Sequence, residues 1–124
     1  MEKINITEKL RTFDKYWQSK LIGEFNSRPV KIIKLKGDFD WHHHKEEDEM
    51  LLVLKGQMSI EFQDDALVLG EGDLFIIPCN TPHKLVAAQE ASILMIEPKA
   101  TMNTESYHAR KAVKVDDPSR PRQS

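Results

Sequence analysis

An all-β fold, a sandwich or a barrel, is what this sequence predicts, on three observations. Apolar residues recur at period two, as where Met58, Ile60 and Phe62 alternate with Ser59, Glu61 and Gln63. Turn signals close such runs every eight to twelve residues or so, the spacing of short antiparallel strands. Side chains of metal-ligand type also fall in two segments about forty residues apart, a separation that a closed barrel bridges.

The elements follow in order. Thr7-Glu8-Lys9-Leu10 resembles a helix start, and Leu10 and Phe13 continue an apolar stripe to about Trp17. Residues 1–21 are therefore expected to be a helical or irregular lead-in to a barrel over 22–98. Val30, Ile32, Ile33 and Leu35 form a β-rich run ended by Gly37-Asp38. Met50 to Leu54 is continuously apolar, too short for a typical helix and closed by Lys55-Gly56. After the Met58 strand, Gln63-Asp64-Asp65 turns the chain into Ala66 to Leu69, and Gly70 to Asp73 turns it into Leu74 to Ile77, stopped by Pro78. His83 to Ala88 and Ser92 to Ile96 are expected as two further strands, the last stopped by Pro98. A structured loop over 99–110 and a disordered tail over 111–124 complete the expectation.

The 124 residues, 40% of them hydrophobic, suffice for one compact core. A net charge of −2 gives no reason to expect nucleic acid or a membrane surface as partner. The distribution is uneven: from His108 onward five basic residues face Asp116 and Asp117, a net +3 that leaves about −5 for the body. With one cysteine, Cys79, no intramolecular disulfide forms, which fits a reducing compartment. The opening residues lack the apolar run of a signal peptide and no stretch is long enough to span a bilayer, so the expected location is the cytoplasm.

On a strand, His42 and His44 project from one face and His43 from the other. After the acidic reversal Lys45-Glu46-Glu47-Asp48, Glu49 opens the returning strand on the same face as Leu51 and Val53. Met50, Leu52 and Leu54 share the opposite face, so both faces are apolar and both require cover. Glu49 needs compensation inside a barrel, because an unpaired buried charge costs several kcal/mol. A divalent cation supplies it. The competing reading is a polar interior in which histidines and glutamate satisfy one another. His83 follows the rigid Pro78 turn, where Asn80 can adopt the left-handed conformation. Three neutral imidazoles, one carboxylate and a divalent ion sum to about +1, suited to an anionic ligand.

The spaced series His42-x-His44-x4-Glu49-x6-Gly56 and Gly72-x5-Pro78-x-Asn80-x2-His83 resembles the two signature motifs of the cupin superfamily, small antiparallel jelly-roll barrels. The resemblance implies that His42, His44, Glu49 and His83 ligate one divalent transition metal: zinc, iron, manganese or nickel, with copper chemically admissible. Trp41 to Gly56 is also similar to small single-domain cupins often labelled phosphomannose-isomerase-like. Gly37 lies one residue closer to the histidines than the usual pattern, Asn80 replaces a turn glycine, and Ala87 stands where an asparagine often closes the second motif. Cupins commonly pair sheets between subunits, which with the two-faced apolar run implies a homodimer, the segment through Trp17 lying over the partner.

Two functions are compatible with this reading. One is a metal-dependent enzyme (isomerase, lyase or dioxygenase) acting on a small polar or anionic molecule. The other is a non-catalytic small-molecule binding or sensing module with a structural metal. No ionisable residue outside the ligand set is identified as facing inward, which counts against the enzyme.

Overall fold

In the computed structural model, which describes residues 2–98, one short helix, α1 (Ile6–Leu10), precedes seven strands: β1 (Lys20–Phe25), β2 (Arg28–Asp38), β3 (Glu49–Lys55), β4 (Met58–Glu61), β5 (Ala66–Leu69), β6 (Leu74–Ile77) and β7 (Lys84–Ile96). The loop and tail expected over 99–124 lie outside the described residues. Every strand pairing is antiparallel. The order is β1-β2-β7-β3-β6, with β4 joined to β7 and carrying β5 on its other side. The all-β antiparallel jelly-roll class is therefore what the chain adopts.

β7 holds the two halves together. Its start pairs with β4 through Lys84, Leu85 and Val86, and its end pairs with β3 through Ser92 to Ile96. Two strands were expected here; the chain runs as one. Ala88, Gln89 and Glu90 are exposed, so apolar patterning lapses, yet no glycine or proline interrupts the extended backbone. β1 was not anticipated either. It begins at Lys20, ahead of the expected start of the barrel, and pairs only with β2 across a register shift between Leu21 and Gly23. A mixed edge strand carries little periodic signal. Between β3 and β4 the chain reverses at Gly56, whose φ is +78°; a side chain there would bring its Cβ within 2.6 Å of the Glu90 carbonyl oxygen.

Period-two alternation sorts the side chains into two layers. Ile33, Leu35, Leu51, Val53, Met58, Ile60, Ile77, Leu85, Ile93 and Met95 fill the barrel interior. The outer face of β2, β7 and β3 carries Ile32, Leu94, Met50, Leu52 and Leu54, over which Leu10, Ile6 and Phe13 pack. The lead-in therefore covers its own barrel, whereas the sequence reading laid it over a partner. Its helix is capped by Asn5, whose Oδ1 accepts the Glu8 N–H at 2.9 Å, rather than by Thr7, and it ends at Leu10.

Trp17 lies outside that helix altogether. It adopts φ +63°, donates its backbone N–H to Lys34 O and its indole Nε1–H to Lys36 O (2.8 Å), and enters the barrel core. There its ring stacks on Phe39 with centroids 5.0 Å apart. Phe39 in turn meets His42 edge-on at 6.1 Å. Trp17 thus plugs the end of the barrel and buttresses one of the candidate ligands. Trp17→Ala is expected to cost about 3–5 kcal/mol of stability, the range for deleting a buried large aromatic. Urea unfolding monitored by far-UV circular dichroism measures this, and a loss below about 1 kcal/mol would contradict the packing role.

Candidate metal centre

The two ligand-bearing segments meet through the backbone. His42 N–H donates to His83 O at 3.0 Å and His83 N–H donates to His42 O at 2.9 Å, a reciprocal antiparallel bridge between residues forty-one apart. Asn80, at φ +58° as its place in the turn requires, donates its N–H to His44 O. Cys79 is exposed, and its N–H donates to Asp48 Oδ1 at 2.8 Å, tying the exit of β6 to the entry of β3. These bonds fix where three imidazoles emerge.

Glu49 stands at their centre. Its carboxylate Oε1 lies 3.3 Å from His83 Nε2 and 3.7 Å from His44 Nε2. The His42 and His83 rings are 4.2 Å apart between centroids, and His42 and His44 are 5.7 Å apart. Ligand atoms of His42, Glu49 and His83, all buried, lie within 4.8 Å of one another. His44 joins through a second group, again with Glu49. The four sequence-identified positions therefore fall in two groups that share Glu49, one with His42 and His83 and the other with His44. His43 belongs to neither group and is half-buried.

The imidazole tautomers are set by geometry. His42 Nδ1 faces Asp40 O at 3.1 Å and His83 Nδ1 faces Thr81 O at 2.8 Å. A carbonyl oxygen only accepts, so each Nδ1 carries the proton and each Nε2 offers a lone pair. Metal-ligating histidines are held in this way. Both Glu49 carboxylate oxygens, His83 Nε2 and His44 Nε2 are buried without a hydrogen-bond partner among the described residues. Orphaned buried acceptors are costly, and two Nε2 atoms set against one carboxylate are what a cation would satisfy. The donor set fits a divalent transition ion.

The second group contains a residue that the sequence reading left out. Glu97, fully buried, brings a carboxylate oxygen within 4.8 Å of donor atoms of both His44 and Glu49. It also forms an ion pair with Lys31, equally buried, at 3.7 Å from Nζ to Oε1. The expectation that no ionisable residue besides the four faces inward is thereby corrected. Register explains it: Lys31, Ile33 and Leu35 share one face of β2, and Glu97 continues the inward series Ile93, Met95 of β7. Across β3, Met50 pairs with Ile96, which puts Glu97 beside Glu49. Two carboxylate charges no more than 4.8 Å apart repel by at least about 3 kcal/mol at an effective dielectric near 20.

Below this polar end the interior is a packed apolar core of Leu51, Val53, Ile77 and their neighbours, with Phe75 at its margin against Phe62. A separate open groove of about 470 Å³ lies on the outer face, between Phe25, Arg28 and Asp48 and the floor formed by Met50, Ile76 and Ile96. No helix among the described residues is long and apolar enough to cross a membrane.

A small antiparallel jelly roll with a histidine–glutamate cluster buried at one end has the architecture of cupins, which commonly bind a metal. A family model described as "Cupin domain" matches residues 30–109, and the chain belongs to that family. It is 35% identical over 79 residues to the uncharacterized protein YdbB of Bacillus subtilis (strain 168), covering 63% of this chain and 70% of that protein. Among solved structures it is similar to a cupin-2 domain containing protein from Shewanella frigidimarina NCIMB 400 (TM-score 0.75, 36% identity, 77% of this chain and 93% of that one). It shares the fold of hydroquinone 1,2-dioxygenase from Sphingomonas sp. TTNP3, solved with 4-hydroxybenzoate bound, at TM-score 0.62 and 15% identity over 74% of this chain and 71% of that one.

Proposed function

We propose that this protein is a metal-dependent enzyme acting on a small polar or anionic molecule, with His42, His44, Glu49 and His83 holding one divalent ion. The observation that carries the metal is the buried Glu49 carboxylate, both of whose oxygens lack hydrogen-bond partners while Nε2 atoms of His44 and His83 face it. A bound ion supplies Lewis acidity toward an oxygen of the ligand. Catalysis is favoured over mere binding by the Lys31–Glu97 pair, which adds an ammonium and a carboxylate to the same buried chamber. The pair is neutral as a whole, so a divalent ion still leaves the chamber at about +1, favourable to an anion.

Isomerase, lyase and dioxygenase chemistries all suit such a barrel, and the phosphomannose-isomerase-like label is one of these readings. Elemental analysis of tag-free protein, followed by assays of small hydroxy and keto acids, sugar phosphates and diphenols with and without oxygen, tests the proposal. The expected result is a stoichiometric transition metal and turnover that disappears with its removal. Metal-dependent binding without turnover would support the binding-module alternative instead.

The proposal extends to a homodimer in a cytoplasmic setting. On the outer face, one cross-strand row reads Val30, Ile96, Met50, Ile76 and the next reads Ile32, Leu94, Leu52, Leu74. The lead-in covers the Ile32–Leu94 side, but Leu74 and Ile76 are each 52% exposed and Phe25 is 61% exposed at the far margin. A second copy covering this strip by two-fold symmetry buries what the lead-in does not reach. Light scattering is expected to give twice the 14.3 kDa chain mass, and Ile76→Lys to halve it. A monomeric wild type at tens of micromolar contradicts the dimer.

A further inference from the structure

We infer that Glu97 is a fifth protein ligand, making the centre one of three histidines and two carboxylates suited to a six-coordinate ion such as manganese(II) or iron(II). This rests on the metal-centre reading above and goes beyond its four ligands. Glu97 is fully buried, and its carboxylate approaches His44 and Glu49 donor atoms within 4.8 Å. Two buried carboxylates set against each other add repulsion to desolvation. An ion between the two acids removes the conflict. Glu49, at 1% exposure and with neither oxygen hydrogen-bonded, independently marks the place where that ion sits.

Lys31 then has a positioning role. Its Nζ, 3.7 Å from Glu97 Oε1, holds the carboxylate at the end of β7, where the strand leaves the barrel. Tetrahedral zinc is satisfied by four donors and gains little from a fifth. Manganese(II) and iron(II) accept two carboxylates and three imidazoles and retain one open position for a small ligand.

The test uses full-length apo protein titrated with manganese(II), followed by paramagnetic resonance of the unbound ion, and with zinc by competition against a chromophoric chelator. Cobalt(II) absorption reads coordination number in the same proteins. Glu97→Gln is expected to weaken manganese binding by roughly 10–100-fold or more, at least what an outer-shell partner contributes, and zinc binding by several-fold at most. It should also change the cobalt bands, because an amide or water oxygen then replaces a carboxylate in the ion's coordination shell. Because Glu97→Gln leaves the Lys31 ammonium without this partner, the double variant Lys31→Met/Glu97→Gln, which removes both charges, must show the same spectral change. An unchanged cobalt spectrum in both variants would overturn the ligand assignment, even if affinity fell. Failure of the metal-centre reading itself looks different: wild type and His83→Ala would then bind manganese and cobalt equally weakly.

Discussion

Protein carrying His83→Ala should form the same barrel yet lose divalent-metal binding, with affinity falling by more than the roughly 10–100-fold that loss of an outer-shell partner brings. Three features make this change damaging to the centre. His83 is buried, its Nδ1–H is committed to Thr81 O at 2.8 Å, and its Nε2 lies 3.3 Å from Glu49 Oε1 without a hydrogen-bond partner. The ring is thus pre-aimed, and a donor held in place loses little freedom on binding an ion. The backbone bridge between His42 and His83 uses main-chain atoms only, so the substitution leaves it intact. Isothermal titration with zinc and manganese, alongside circular dichroism to confirm folding, measures the effect. Binding within three-fold of wild type would remove His83 from the ligand set.

The positions of the four candidate ligands were legible because each sits beside a strong local signal. His42 and His44 obey strand parity, Glu49 opens an unmistakable apolar run, and His83 follows Pro78 and a left-handed Asn80. Glu97 and Lys31 were not legible, for an instructive reason. Each interrupts an apolar series at its end, where a charged residue reads as the edge of the strand. Lys31 sits between Val30 and Ile32, which face the opposite layer, so its parity shows only once Ile33 and Leu35 are assigned inward. The barrel strands β2 to β6 were legible from their turns and alternation. Trp17 was misassigned because a helical stripe from Leu10 explains its spacing equally well. Only the indole hydrogen bond to Lys36 O and the stack on Phe39 reveal a plug. What local patterning omits is the pairing partner, and both errors concern residues whose role depends on one.

Glu49→Gln should raise the stability of the metal-free protein while abolishing its stabilisation by metal. In the apo state Glu49 is a buried carboxylate whose two oxygens lack hydrogen bonds, lying within 4.8 Å of the Glu97 carboxylate group. Exchanging it for a neutral amide of nearly equal size removes a charge without opening a cavity, which Glu49→Ala would not achieve. Desolvation and repulsion are both relieved, and the amide can donate toward Nε2 of His83 or His44. An unsatisfied buried polar group costs about 1–3 kcal/mol, so the apo melting temperature should rise by several degrees. With metal the order reverses. Wild type gains stability as RT ln(1 + [L]/Kd), while the variant, lacking the central anionic donor, gains little. Scanning calorimetry of both proteins, apo and with a hundred micromolar zinc or manganese, gives four melting temperatures. Equal metal-induced shifts would exclude Glu49 as a ligand, and a destabilised apo variant would show that the histidines already satisfy its carboxylate without an ion.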